Sequence, residues 1–290
     1  MNRVYLKDIL TNVLGEGYVL ESRIYGGMMN ISYVVRDKKG KKYIIYLPNG
    51  KANKLVNRPL EEENSRIASD LGLTSKFIYF DTKRGIKIKE YIEGTSLDKI
   101  DTSEIDYQRV ADLLHILHDS KELSKEDYHP FDRLANYENK AISFQKESNE
   151  YRALKDFLST HINLLTLKEK VFSHNDFQRS NIIKGNDGKY YIIDFEFAAN
   201  NDPIYDIAAF ANGTIEDGEK LLECYYLKPT KEQYQRFYLW RIFISLQWHN
   251  VAIAKHYQKE GKEASFNFLM VAKFFLDLAK KAEDKFLSLK

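Results

Sequence analysis

Residues 171–194 constrain this chain more than any other stretch. Ile182 and Ile183 begin a candidate strand, Asn186-Asp187-Gly188 is a tight-turn signal, and Tyr190 to Ile193 reads as the returning strand. Such a hairpin sets Asn181, before its first strand, beside Asp194, after its second. Upstream runs His174-Asn175-Asp176-Phe177-Gln178-Arg179-Ser180-Asn181. The order His-x-Asp-x-x-x-x-Asn, then a strand-end Asp, is the spacing that moves a phosphoryl group from ATP to a hydroxyl. In that pattern Asp176 accepts the proton of the attacking alcohol, and Asn181 and Asp194 hold Mg2+ against the ATP phosphates. Oxygen donors suit a hard cation that also keeps waters and phosphate oxygens. The transition state needs positioning and charge neutralisation more than covalent help, which explains why these residue types suffice. Taken singly, His-Asn-Asp is an ordinary polar loop and Asp194 an ordinary strand-end acid; their order around a hairpin is what points to chemistry. His174 fits a structural role, holding the loop. Asp206, in Asn201-Asp202-Pro203-Ile204-Tyr205-Asp206, fits an acceptor of hydrogen bonds from the loop backbone or a plain helix-start acid.

Around this block the patterning is segregated. Residues 4–14 predict a short amphipathic helix. Val19 to Tyr25, Ile31 to Arg36 and Tyr43 to Leu47 predict strands, the last two joined at Lys38-Lys39-Gly40. Residues 58–71 predict a helix with Pro59 in its first turn and Gly72 as its stop. Phe77 to Phe80 and Ile86 to Ile92 predict a further strand pair. Beyond Gly94 the period becomes helical, over 103–118, most of 136–165, and 203–286. Strands first and helices after argue an α+β chain in two lobes, 1–92 and 93–290, joined near Glu90-Tyr91-Ile92-Glu93-Gly94. A cleft between two lobes is a natural nucleotide site, since closure excludes water.

Composition removes other classes. The 290 residues carry 44 Lys plus Arg against 42 Asp plus Glu, a balance that offers nothing to nucleic acid or a charged membrane surface. Cys224 is the only cysteine, so no internal disulfide forms and a reducing, cytoplasmic setting is expected. No apolar run reaches membrane-spanning length, and the amino-terminal residues lack a signal-peptide core. The expected partner is a small-molecule substrate; the oligomeric state is not legible.

The segments His-Asn-Asp-Phe-Gln-Arg-Ser-Asn-Ile-Ile (174–183) and Ile-Asp-Phe-Glu-Phe-Ala-Ala-Asn-Asn-Asp-Pro-Ile-Tyr-Asp-Ile-Ala (193–208) resemble the choline/ethanolamine kinase family, within the wider aminoglycoside-phosphotransferase and protein-kinase-like group. Gly26-Gly27-Met28-Met29-Asn30, Asn57 to Asn64, Glu90 to Gly94 and Gln178 resemble further segments of its bacterial choline kinases. The resemblance implies a protein-kinase-like fold, with a strand-rich nucleotide lobe and a mostly helical catalytic lobe. It implies ATP as co-substrate and Mg2+ as cofactor. Gly26, Gly27 and Asn30 would belong to the loop over the phosphates, and Glu61 (or Glu63, one register away) would be the helix carboxylate behind them. Glu90 and Ile92 would hold adenine through backbone groups. One position departs from the family. Where its third strand carries Lys or Arg to pair with phosphate and the helix acid, this chain has Tyr46; Lys51, Lys54, Lys41 and Lys42 are the nearby cations.

For the acceptor, a quaternary ammonium is best held by aromatic faces with an acid nearby. Gln178, Glu196, Phe197 and Trp248 are the candidates carried by the resemblance. Family members often pair two late-helix tryptophans as Trp-x-x-Trp; here Trp248 is followed by Val251, an incomplete pair that shifts the balance from choline towards ethanolamine or another amino alcohol. The expected activity is ATP- and Mg2+-dependent phosphorylation of the hydroxyl of choline or a similar small amino alcohol. The alternatives are a kinase for an aminoglycoside, thiamine or a sugar, and a nucleotide-binding regulator with weakened catalysis, the last motivated by Tyr46.

Overall fold

The computed structural model describes residues 3–25, 30–49, 56–144, 146–166, 169–258 and 267–289, with side chains from residue 6 onward. The chain divides into two units by its internal contacts: residues 1–100 with 180–198, and residues 101–179 with 199–290. Compared with the 1–92 and 93–290 division read from the sequence, the first unit additionally carries 93–100 and the hairpin segment 180–198.

The first unit is built on a five-stranded antiparallel sheet. Strands β1 (Val19–Ile24), β2 (Asn30–Arg36), β3 (Lys42–Pro48), β4 (Phe77–Asp81) and β5 (Ile86–Glu90) lie in the order β1-β2-β3-β5-β4. The β2–β3 turn holds because the Asp37 carboxylate accepts from the amides of Lys39 and Lys41, while Gly40 takes a φ of 87° that few other residues tolerate. Strand alternation sends Tyr43, Ile45, Leu47, Ile86 and Ile88 to one face, where they pack with Val35 and with Ile9 and Leu10 of helix α1 (Arg3–Leu14). The other face carries Tyr46 and, opposite it in register, Lys87. Helix α2 (Arg58–Asp70) starts where the Asn57 side chain accepts from the Leu60 amide and Pro59 presets the first turn.

Three short strands complete this unit: β6 (Gly94–Ser96), β8 (Ile182–Gly185) and β9 (Tyr190–Ile192), paired in the order β6-β8-β9. The β8–β9 register sets Ile182 against Ile192, and the Ile193 amide donates to the Asn181 carbonyl, so Asn181 and Asp194 leave adjacent strand ends. The second unit has a two-stranded ribbon, β7 (Val171–Ser173) with β10 (Ala199–Asn201), among helices α3 (Tyr107–His118), α4 (Pro130–Ile142), α5 (Asn149–Thr160), α6 (Pro203–Phe210), α7 (Ile215–Tyr226), α8 (Lys231–Gln258) and α9 (Phe268–Ser288). Helix α8 is its axis: α4, α5, α6 and α9 all pack on it. The run Phe237 to Leu246 is buried on every side, as expected of a central helix rather than an amphipathic surface one.

The chain is thus α+β, with an antiparallel strand-rich amino-terminal part and a helical carboxy-terminal part. Differences from the sequence reading are local. Helix α3 begins at Tyr107 because Asp106 caps it, and the expected start near 103 is a separate 3-10 turn, Thr102–Glu104, capped by Asp101. Helix α4 begins at Pro130, earlier than residue 136, with the proline in its first turn. Strands β6 and β10 are three residues each, too short to show a period. No described helix is long and apolar enough to cross a membrane.

The β6–β8 contact gives a direct test. A Cβ at Gly94 would lie 2.4 Å from the Lys184 carbonyl oxygen and 2.8 Å from the Gly185 Cα, both backbone atoms that cannot swing away. Gly94→Ala should lower stability in urea denaturation by about 1–3 kcal/mol, the usual cost of forced overpacking. An unchanged midpoint and slope would show that β6 is not held against β8.

Candidate active site

Asp176 sits in a loop whose backbone is pinned from below. Asp206, fully buried in the first turns of α6, accepts from the His174 amide (2.7 Å) and the Asn175 amide (2.7 Å). His118 of α3 meets the same carboxylate at 3.1 Å and the Tyr225 hydroxyl at 3.1 Å through its other ring nitrogen. The His174 ring accepts from the Asp176 amide (3.2 Å), so this buried histidine shapes the loop. Asn175 takes a φ of 62° and is held there by Asn201, which donates to its side-chain oxygen, and by the Ser173 and Ala199 carbonyls. A left-handed non-glycine backbone persists only when its surroundings fix it, and it marks sites where position matters.

This support turns the half-buried Asp176 outward with a partner of its own. The Gln178 amide donates towards both carboxylate oxygens, at 3.1 and 3.2 Å, and its own oxygen accepts from Asn212 (3.3 Å). Gln178, read from the sequence as a substrate contact, is hydrogen-bonded to the Asp176 carboxylate. Arg179 anchors the end of the loop through Asp217 (3.1 Å), which also accepts from the Tyr107 hydroxyl (2.5 Å). Tyr128 and Tyr205 lie within electrostatic reach of Asp176 and meet through their hydroxyls at 3.4 Å. Burial above all keeps both phenols protonated. The Arg133 guanidinium lies 5.1 Å from the centre of the Tyr128 ring, and Trp240 meets Tyr205 edge-on at 5.1 Å. Tyr128 and Arg133 were invisible in the sequence, because neither belongs to a motif.

The first unit carries a cluster of acids and cations of its own. Glu61, on α2, accepts from Arg58 (2.6 Å) and from Lys87 of β5. All three side chains are buried, with 1%, 3% and 4% exposed respectively. Burial would raise the Glu61 pKa, but Lys87 and Arg58 outweigh it and hold the carboxyl below its usual range. Burial would likewise depress Lys87, and Glu61, Asp194 and Glu196 together raise it instead. Glu63, the alternative register, is half-buried on the same helix. A buried cation paired with the α2 acid is therefore present on the strand beside Tyr46. Lys41 and Lys42 pair with Glu90 and Glu93, and Lys51 and Lys54 lie outside the described residues. A signal did exist: Ile86-Lys87-Ile88-Lys89 alternates cleanly, but an alternating strand is ordinarily read with its lysines in water.

Asp194 and Glu196 face this pair. Ligand oxygens of Glu61, Asp194 and Glu196 lie within 4.8 Å of one another. Asp194 adopts a φ of 68°. Its Oδ1 and the Glu196 Oε2 are buried without a hydrogen-bond donor, with Lys87 at 3.8 Å and Arg58 at 3.9 Å as their nearest cations. Burial, then the Asp194 charge, pushes Glu196 up to about 9. Buried carboxylate oxygens lacking donors, arranged as a hard-oxygen set, fit a divalent cation such as Mg2+. Glu196, expected at the acceptor, is thus grouped with the metal-type acids. Asn181 is buried at the start of β8, and Phe197 follows Glu196 in the same connection. Asn30 is buried on β2 with its side-chain oxygen lacking a donor; Gly26 and Gly27 lie outside the described residues. Glu90 and Tyr91 spend their amides on the Lys76 and Lys42 carbonyls, while no backbone hydrogen bond among the described residues reaches Ile92. Trp248 is half-buried on α8 and stacks on Phe275 of α9, with ring centres 5.9 Å apart.

Lys89 shares the inner face with Lys87 but pairs with no carboxylate among the described residues; it donates to Thr74 (2.8 Å) and lies 4.6 Å from the centre of the Phe77 ring. Burial first, and Lys87 second, push this amine down to about 7. The unfolded chain keeps its lysine protonated to about pH 10.4. Between pH 7 and 10 the unfolded state therefore binds more protons, and this residue's contribution improves as pH rises. Lys89→Met should raise the melting temperature most below pH 7, with the gain shrinking towards pH 10. A gain independent of pH, measured by thermal scans across that range, would contradict a buried titrating amine.

Sequence comparison shows a family, and structure comparison a shared fold. A family model described as choline/ethanolamine kinase matches residues 22–245. Protein LicA of Haemophilus influenzae is 29% identical over 216 residues, 71% of this chain and 62% of that protein, so the chain spans less than two thirds of that relative. The crystal structure of choline kinase LicA from Streptococcus pneumoniae superposes with a TM-score of 0.75 at 23% identity, covering 98% of each chain. A structure of LicA in complex with AMP gives 0.73 at 23% identity over 100% of both chains. The family match covers most of the chain, including both motif segments and the strand and helix that carry Glu61's partners: this protein belongs to the choline/ethanolamine kinase family.

Proposed function

We propose that this protein transfers the terminal phosphoryl group of ATP, with Mg2+, to the hydroxyl of choline or a similar small amino alcohol. The observation that carries the reading is Asp176: a carboxylate oriented by Gln178 on both oxygens, in a loop pinned by Asp206, within a chain of this family. The Asp176 carboxylate takes the proton from the acceptor hydroxyl as its oxygen attacks the γ-phosphorus. The bond from that phosphorus to the β–γ bridging oxygen breaks, ADP leaves, and the proton passes to solvent. Asn181 and Asp194, with Glu196 and Glu61 around them, are the residues that would hold Mg2+, which neutralises phosphate charge when bound. Ile92 offers backbone groups to the adenine edge, and Asn30 belongs to the strand that follows the phosphate loop.

The acceptor assignment is supported by the aromatic surroundings of Asp176. Tyr128 and Tyr205 lie within electrostatic reach of Asp176, and aromatic rings near the base are the kind of group a cationic amino alcohol favours. The weakened-regulator reading rests on the missing cation at Tyr46, and the Lys87–Glu61 pair on the adjacent strand favours the kinase over it. A cytoplasmic setting, where ATP is supplied, agrees with the single thiol.

The test is ADP release by the purified protein over a panel of choline, ethanolamine, an aminoglycoside, thiamine and a sugar. Choline or ethanolamine should stimulate release, yield the phosphorylated alcohol by mass spectrometry, and require added Mg2+ after chelation. Asp176→Asn should cut kcat by about 10²–10⁴-fold, the usual worth of general-base catalysis, at an unchanged melting temperature. Turnover confined to another panel member would reject the amino-alcohol acceptor. Nucleotide binding without turnover of any alcohol would favour the regulator.

A further inference from the structure

Strand register makes position 87 equivalent in space to position 46. In the antiparallel β3–β5 pair, Tyr46 and Lys87 are direct partners, and cross-strand partners project from the same face of the sheet. A lysine on β5 therefore reaches the region that a third-strand lysine would reach. The side chains show it doing so: the Lys87 ammonium lies 5.0 Å from the centre of the Tyr46 ring, donates to Glu61, and stands 3.8 Å from Asp194 Oδ1. Tyr46 supplies a π face that favours a cation at this spot and a wall that excludes water from it.

The ammonium is not used up by these contacts. It has three N–H donors, and Glu61 is its only hydrogen-bonded acceptor among the described residues. Two donors on a buried cation, next to acids whose own outer oxygens lack donors, call for a ligand that brings oxygen atoms and negative charge. A polyphosphate with a divalent cation satisfies both demands at once, since its oxygens accept from Lys87 while the cation meets Asp194 and Glu196. The other nearby cations have acceptors of their own. Arg58 is shared between Glu61 and, at 3.9 Å, Glu196, Lys41 and Lys42 pair with Glu90 and Glu93, and Lys89 is bonded to Thr74.

We propose that Lys87 on β5 binds the ATP phosphates, so that the cation tied to the α2 carboxylate comes from the adjacent strand while Tyr46 forms its seat. This deepens the kinase reading and rests on it for the identity of the ligand. Removal of a single charged donor to phosphate should cost about 10²-fold or more in kcat/KM for ATP. The KM for the acceptor should be little changed, because that molecule meets Asp176 rather than Lys87.

The experiment exchanges the two positions. Lys87→Met, Lys87→Arg and the double variant Tyr46→Lys with Lys87→Met are compared with the parent. The readouts are calorimetric binding of a non-hydrolysable ATP analogue with Mg2+, steady-state kinetics, and thermal unfolding. Lys87→Met should lose binding and kcat/KM for ATP by about 10²-fold, Lys87→Arg should retain more of both, and the double variant should recover at least about tenfold over Lys87→Met. A Lys87→Met protein that melts earlier yet, while folded, binds and turns over ATP as the parent does would reduce Lys87 to a structural ion pair and overturn the proposal. If Lys87→Met does not fold, recovery of fold without recovery of nucleotide binding in the double variant overturns it equally. A parent that binds the analogue but phosphorylates no amino alcohol rejects the acceptor assignment while the binding series still judges Lys87; a parent that binds no nucleotide overturns both.

Discussion

Glu61 is held between two cations in a place where none of the three charges reaches water, and this triad is the condition on which the first unit is organised. Removing one member of a buried pair commonly costs about 3–5 kcal/mol, because the charge left behind has neither solvent nor partner. The helix that bears Glu61 therefore cannot drift from the strand that bears Lys87 without a heavy penalty. Asn64, one turn further along α2, donates to the Ala198 carbonyl (2.7 Å), which ties the same helix to the segment that carries Asp194 and Glu196. Charge pairing thus fixes where the acids stand before any nucleotide arrives.

The second unit uses a different device for the same end. Asp206 gives both oxygens to backbone amides and shares one with His118, so its lone pairs are filled by rigid partners rather than by water. Hydrogen bonds to a charged acceptor are about twice as strong as neutral ones, and these lie in a fully buried setting. The loop can then hold Asn175 in a left-handed backbone and leave Asp176 to Gln178. Preorganisation of this kind matters for phosphoryl transfer, where orientation supplies much of the rate.

Much of this was legible in the residues. The turn at Asn186-Asp187-Gly188 and the flanking apolar strands predict the adjacency of Asn181 and Asp194, because hairpin register follows from local turn chemistry. Helix α2 announced itself through Asn57, Pro59 and Gly72. The cation was not legible: knowing that β3 and β5 are neighbours requires the sheet order, and a lysine at an alternating position looks the same whether it faces water or a buried acid. The hydrogen bond from Gln178 to Asp176 and the grouping of Glu196 with Asp194 were not legible for a similar reason. A motif position states what a residue follows, whereas a hydrogen bond to Asp176 or a 3.9 Å approach to Arg58 depends on the path of the whole chain. Tyr128 stands outside every short pattern and is brought near Asp176, with Arg133 against its ring, only by packing.

The path of that chain has a practical side. Residues 180–198 belong with 1–100, and 199–290 belong with 101–179, so the backbone passes from one unit to the other three times. Neither unit is a continuous fragment. Cutting after residue 100 would deprive the amino-terminal piece of β8, β9 and both candidate magnesium ligands, and leave β6 with an uncovered edge. A gene encoding either half alone would yield an incomplete object, and shuffling such halves among relatives would have to exchange the interleaved hairpin as well.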